Sequence, residues 1–291
     1  MYTIQNEFLK VNFQAKGAEL TSIVNLKDQT EYLWQADPNH WGKHAPILFP
    51  IVGGLKNGQY QLKGQTYELS RHGFARDLPF DLFEQTATSI TFVLKSDENT
   101  FERYPFEFAL YVKYTLHENQ LVVNYRVYNL SDDTMYYGIG GHPAFNVPLV
   151  PDLEFTDYQL SFTQGKVERL IPLEDNLLNL EKAVENPEVD HIPLTHELFK
   201  GDALVYTTTT DPIEIVLSST KDSHKITVNY QDLPFVGIWS TYPVASPFVC
   251  IEPWASVADI TTASGDLTEK YGIESLSIGD QKEYQYMIRF E

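Results

Sequence analysis

Four stretches of this 291-residue sequence set ionisable side chains inside apolar or glycine-marked surroundings. Ser70-Arg71-His72-Gly73-Phe74-Ala75-Arg76-Asp77 holds two arginines and a histidine, with Gly73 permitting close approach. That set suits a polar small molecule, although in extended chain Arg71 and His72 point to opposite faces and share one pocket only if the chain bends. In Gly138-Ile139-Gly140-Gly141-His142-Pro143, Pro143 confines His142 to extended backbone and the glycines clear the space beside it. In Val249-Cys250-Ile251-Glu252-Pro253-Trp254 a single carboxylate ends an apolar run. Carboxylates seldom enter such runs unless paired or functional, and burial raises their pKa towards the range of a general base. The bland alternatives are a charged turn, a structural histidine and a Glu paired with an Arg. The fourth stretch, Phe199-Lys200-Gly201-Asp202-Ala203, puts an acid at the entry to a strand, a weak signal that also fits a turn residue.

Two histidines and two acids also raise the question of a metal. From His72 through His142 and Asp202 to Glu252 the gaps are about 70, 60 and 50 residues, with no His-x-His or Cys pair, so spacing does not favour a catalytic metal. Cys250 is the single cysteine, which excludes an intrachain disulfide, and its apolar neighbours mark it as a small buried hydrophobe.

The elements that must carry these residues are strands. Period-two alternation runs through Phe8–Phe13, Gly17–Val24, Phe106–Thr115, Leu121–Asn129, Ala203–Thr208, Ile213–Ser218, Lys225–Tyr230, Phe235–Ser240, Phe248–Ile251 and Lys282–Phe290. Gly58–Leu69 predicts a hairpin turning at Lys63-Gly64, and Asp81–Leu94 two strands around Thr86-Ala87-Thr88. Helical signals are confined to Asn99–Arg103, Asp266–Tyr271 and an ambiguous Glu174–Ala183. Turn signals every 8–12 residues or so predict an all-β sandwich or barrel. No β-α-β alternation, G-x-G-x-x-G, Walker A or H-E-x-x-H is present. The acidic, proline-containing Glu168–His196 reads as an excursion within one domain spanning 1–291 rather than a linker.

The net charge is −19, from 21 Lys+Arg against 40 Asp+Glu, which disfavours nucleic acid and anionic membrane surfaces as partners. With 43% apolar and 21% charged residues, wholesale disorder is excluded. The start, Met1-Tyr2-Thr3-Ile4-Gln5-Asn6, has no secretory-signal pattern, and no apolar run is long enough to span a bilayer, so a cytoplasmic location is expected.

Leu33-Trp34-Gln35-Ala36-Asp37, Ile47-Leu48-Phe49-Pro50-Ile51-Val52-Gly53, His72-Gly73-Phe74-Ala75-Arg76-Asp77, Gly141-His142-Pro143-Ala144-Phe145 and Cys250-Ile251-Glu252-Pro253-Trp254, in this order along nearly the whole chain, resemble the aldose 1-epimerase (galactose mutarotase) family, and within it the LacX-like proteins. The resemblance implies a large antiparallel β-sandwich with a sugar cleft across one sheet, and interconversion of the anomers of a hexose without a cofactor. Carried over, Glu252 would be the base at the anomeric hydroxyl, and a protonated His142 the acid at the ring oxygen. His72 and Asp202 would bind ring and hydroxyl oxygens, and Arg76, with Arg71 beside it, would lie at the cleft. Trp34, Phe74 and Trp239 would be candidates for an apolar wall, each equally able to be core. One position departs from the pattern: Gly54 stands where relatives often carry an arginine, so a contact there is absent or passes to Lys56 or Arg71. A hexose-6-phosphate epimerase, a non-catalytic sugar-binding protein and a glycosidase using Glu252 with Asp202 are the alternatives on such a fold.

Overall fold

The computed structural model describes residues 1–291. Nearly all its regular structure is antiparallel strand; the one α-helix is the single turn Glu98–Phe101, capped by Asp97, and no helix is long and apolar enough to cross a membrane. Two sheets dominate. A nine-stranded sheet contains the long hairpin Phe108–His117 and Gln120–Asn129, flanked by Ser89–Lys95 and Gln281–Phe290. An eight-stranded sheet runs through Val167–Ile171, Leu204–Thr208, Phe235–Trp239, Phe248–Trp254 and Gly140–Gly141 to Ile47–Leu48.

Alternation decides which side chains enter the main core. In Gln120–Asn129, Leu121, Val123, Tyr125 and Val127 are buried while their neighbours are half-buried. They meet Val236, Ile238, Val249 and Ile251 of the eight-stranded sheet in one apolar cluster. Side chains one residue out of phase with that pattern point to the other face, away from this core. On the eight-stranded sheet, Cys250, Glu252 and Trp254 therefore share the far face with Gly237 and Trp239 of the adjacent strand.

The predicted strands are present with ends displaced by at most three residues, and the hairpin turns at Lys63-Gly64, both at positive φ as a tight hairpin turn needs. Three strands of four or more residues lack a sequence forecast, Tyr2–Gln5, Tyr158–Gln164 and Val167–Ile171. The excursion Glu168–His196 is more ordered than its composition suggests. Its start belongs to the strand Val167–Ile171, and Leu173–Glu174 with Leu177–Leu178 forms a small hairpin. Strands of two residues carry too few side chains to show a period, which is why the alternation test passes over them.

Two glycines shape the far face. A Cβ on Gly237 would lie 2.3 Å from the Trp254 ring, and one on Gly140 also 2.3 Å from it. The indole of Trp254 thus lies in a notch between two strands that carry no side chain there. Gly237→Ala forces a methyl into that ring, and overpacking of this kind costs about 1–3 kcal/mol. Urea unfolding of the variant is expected to show a lower midpoint with an unchanged slope; an unmoved midpoint would show that the ring is free to shift.

Candidate active site

The strand Phe248–Trp254 is buried at all seven positions. Two short strands pair with the same edge of it: Gly140 opposite Trp254, and Ala144 opposite Cys250. Continuing that antiparallel register across the interruption places His142 opposite Glu252. The other neighbour of Glu252 is Gly237, which has no side chain to shield it. Sheet pairing thus brings together two residues 110 positions apart: His142 Nε2 lies 3.1 Å from Glu252 Oε2.

Both groups are buried, at 7% and 1% exposure, and both line a cavity of about 240 Å³. Its other walls are Trp41, Arg71, His72, Arg76, Ala203, Trp239 and Trp254. That volume is below the roughly 300–1,000 Å³ usual for drug-sized ligands and fits a small polar one. Trp41 stacks on the His142 ring at 4.9 Å between centroids, and Trp239 meets it edge-on at 5.7 Å. One imidazole is thus held between two indoles.

His72 reaches the same cavity because the chain bends. The Gly73 N–H donates to Ser70 O at 2.9 Å, and His72 and Gly73 have φ of 69° and 71°. A Cβ on Gly73 would lie 2.3 Å from Phe49 O, so glycine is required there. This turn brings Arg71 and His72, which would diverge in an extended strand, to one pocket. The Gly53 N–H donates to His72 Nδ1 at 3.1 Å, and the His72 N–H donates to Gly53 O at 2.9 Å. An Nδ1 that accepts leaves the ring's proton on Nε2, so neutral His72 is an Nε2–H donor. Asp259 supports that loop from behind: its N–H donates to Gly54 O, its Oδ2 accepts from the Lys56 N–H, and its Oδ1 is 3.2 Å from the buried Lys270 Nζ.

Arg71 is gripped from two sides. Its Nη1 donates to Asn176 Oδ1 at 2.9 Å, and its Nη2 is 3.1 Å from Asp202 Oδ2. Arg76 donates to Arg71 O from Nη2 at 2.8 Å. Asn176 sits at the tip of the small 173–178 hairpin, directly over the departure noted at Gly54. A Cβ on Gly54 would be 3.4 Å from Asn176 O, so the hairpin occupies the space into which a longer side chain at 54 would project.

Of the nine residues singled out in the sequence, Glu252, His142, His72, Arg71, Arg76 and Trp239 line the cavity. Asp202 stands at its rim, held by Arg71 and by the Ala203 N–H at 2.8 Å. Trp34 and Phe74 do not line it. Trp34 packs on Phe248 behind the wall and donates its Nε1–H to Trp41 O at 2.8 Å, so it supports Trp41 instead. Phe74, 2% exposed, belongs to the main core beside Phe108. Trp41, Trp254, Ala203 and Asn176 were not singled out. Trp254 follows Glu252 by two and therefore shares its face, a signal readable in the sequence. Trp41 and Asn176 sit in irregular chain, where no period points to them.

Burial sets the charges. It pushes His142 down to about 3, with help from the Arg71 and Arg76 charges. Burial, then the charges of His142, Arg71 and Arg76, drives His72 well below its ordinary value. Burial raises Glu252 well above the usual carboxylate range; Asp202 adds to this and Arg71 opposes it. The pair therefore differs from the charged one that the resemblance implies. An imidazolium and a carboxylate at 7% and 1% exposure are each poorly solvated, so the neutral imidazole beside the carboxylic acid is favoured. Both arrangements hold the same number of protons, and transfer of one across 3.1 Å interconverts them.

The chain belongs to the aldose 1-epimerase family, whose model matches residues 1–273. Among relatives, it is 35% identical to the plasmid-encoded LacX protein of Lactococcus lactis subsp. lactis, over 98% of this chain and 97% of that one. It is also 25% identical to the galactose mutarotase of Sus scrofa, over 61% of this chain and 55% of that one. Among solved structures, a galactose mutarotase related enzyme from Lactobacillus acidophilus superposes with a TM-score of 0.98 at 41% identity, covering 100% of this chain and 97% of that one. A galactose mutarotase-like protein from Lactobacillus casei gives 0.92 at 33% identity, with both chains covered in full. Membership and these neighbours mark the chain as an enzyme of the epimerase class.

Below about pH 6.5 the unfolded chain protonates His72 and His142 while the folded chain leaves them neutral. The unfolded state then binds more protons, so these two groups make stability fall on acidification. Glu252 acts oppositely, its raised pKa favouring the folded state at low pH and losing that contribution as pH rises. In His72→Asn the side-chain carbonyl can still accept from Gly53, but one titrating group is gone. Its unfolding free energy is expected to fall less steeply than wild type between pH 6.5 and 4; equal slopes would mean that His72 is not held neutral.

Proposed function

We propose that this chain, acting as one sandwich domain, is an aldose 1-epimerase that opens and recloses the ring of an unphosphorylated hexose by proton transfers at Glu252 and His142. The observation that carries the reading is the 3.1 Å approach of His142 Nε2 to Glu252 Oε2 at the wall of one small cavity.

Ring opening removes a proton from the anomeric hydroxyl and delivers one to the ring oxygen. The ionised form of the pair does both: Glu252 carboxylate accepts from O1, and His142 imidazolium donates to O5. The C1–O5 bond breaks, C1=O forms, and the pair is left as carboxylic acid and neutral imidazole. After rotation about C1–C2, closure runs in reverse on the opposite face. Neutral His142 takes the O5 proton, the C1–O5 bond re-forms, and Glu252 returns a proton to O1. The cycle begins and ends with the same number of protons and needs none from solvent. The neutral pair favoured by burial is the form that ring closure uses. The Arg71 charge favours the carboxylate that ring opening uses. Each positioned transfer can contribute about 10²–10⁴-fold.

The surrounding residues complete the assignment. His72, with its proton on Nε2, donates to a ring or adjacent hydroxyl oxygen. Trp239 and Trp41 give an apolar wall beside His142. Arg71, held by Asp202 and Asn176, presents remaining N–H groups to sugar hydroxyls, and its charge is already compensated, which argues against a phosphate as its main partner. Because Asp202 is committed to Arg71, it is poorly placed to serve as the second free carboxylate that a glycosidase needs.

Polarimetry of freshly dissolved α-glucose and α-galactose tests the reading, with the 6-phosphates as comparison. Acceleration is expected with at least one free hexose. Glu252→Gln is expected to lose about 10²–10⁴-fold in kcat while keeping its fold; an unchanged rate in this variant would remove Glu252 as the base. Asn176→Ala releases one side of Arg71 and is expected to raise KM severalfold with kcat within about twofold. Asn176→Asp, which keeps an acceptor, should restore KM. A loss of kcat without a change in KM would contradict a role in substrate holding.

A further inference from the structure

The far face of the Phe248–Trp254 strand holds a group that proton transfer does not use. Cys250 precedes Glu252 by two residues and so points to the same side of the sheet. One ligand atom each from His142, Cys250 and Glu252 lie within 4.8 Å of one another. We propose that these three residues form a site for a thiophilic divalent cation of the zinc type, and that its occupancy blocks the sugar cleft.

The geometry is close to what such an ion requires. Zinc bonds of about 2.0–2.3 Å in a tetrahedron put neighbouring ligand atoms roughly 3.3–3.6 Å apart. His142 Nε2 and Glu252 Oε2 are already at 3.1 Å. The thiol, within 4.8 Å of both, has to move inward. A second observation points independently to a ligand: the 3.1 Å approach of His142 Nε2 is not an aligned hydrogen bond, so Glu252 Oε2, on a side chain 1% exposed, is left without one. Buried polar atoms are rarely left unmatched. The donor set decides the class of ion. One sulfur, one imidazole nitrogen and one carboxylate oxygen suit zinc and its neighbours and are a poor match for magnesium or calcium, which take oxygen. The fourth position faces the cavity, because His142 and Glu252 both line it.

Binding sends the thiol proton, and the proton shared by His142 and Glu252, to solvent. The lone pairs that would accept protons from a sugar are then engaged by the ion. Inhibition in this form rests on the proposed epimerase reaction, but cation binding does not.

Titration of chelator-treated protein with cobalt(II) reads the site directly, through the thiolate-to-cobalt charge-transfer absorption of a sulfur ligand. Wild type is expected to develop this band, to lose it on adding zinc, and to show a rise in apparent KM for the sugar with zinc while kcat holds. Cys250→Ala and the closely isosteric Cys250→Ser are expected to lose the band and bind zinc at least tenfold more weakly. Absence of the band in folded wild type overturns the proposal, as does zinc affinity unchanged within twofold in a folded Cys250 variant. The wild-type spectrum decides even if neither variant folds. A cobalt band without any sugar turnover would defeat the epimerase reading and leave the cation site standing; normal turnover with no band would do the reverse.

Discussion

A carboxyl group inside a strand that is buried at every position is the constraint on which the site depends. Left alone, Glu252 would be costly to hold there. The fold meets that cost with a single partner, His142, set across from it by strand register and close enough to share one proton. Everything nearby follows from keeping this pair buried but reachable. Gly237 leaves the other flank of Glu252 open, two indoles hold the imidazole, and Arg71 supplies one positive charge at the rim.

The two sheets divide the labour. The face of the eight-stranded sheet that meets the nine-stranded sheet is apolar and packs the main core. Its opposite face carries the polar groups and is covered by chain from elsewhere: the Ser70–Gly73 turn, the 173–178 hairpin and the Trp41 segment. A rigid sheet thus fixes Glu252 and His142, while turns and loops bring His72, Arg71 and Asn176. Rigid elements give the accuracy that proton transfer needs, and loops tolerate the variation that ligand choice needs.

Much of this arrangement was legible in the sequence because alternation reports facing. Strand after strand followed from period two, and the lone Glu252, the glycine-flanked His142 and the Arg71–His72 stretch stood out against apolar surroundings. The conflict over Arg71 and His72 was also correctly posed, since only a bend brings both to one pocket, and His72 at φ 69° provides it. Other parts were not legible, for physical reasons. Trp34 and Trp41 look alike in a sequence, and only packing puts one behind the other. Phe74 sits among site residues in the chain but turns into the core. The charge state of the pair depends on solvation, which residue type alone does not report. Asn176 belongs to a two-residue-strand hairpin with no periodic signature.

The notch that holds Trp254 has a consequence for how such a site can change over time. Two glycines on separate strands are committed to one indole, so no single replacement at Gly140, Gly237 or Trp254 leaves the floor of the cavity intact. Depth is therefore locked by three interdependent positions. The rim is not: Arg71 is held by one residue from a short hairpin and one from a strand entry, each replaceable without disturbing the sheet. Descendants of this chain would be expected to keep the reacting end of their ligand and to diverge in what they accept at the other end.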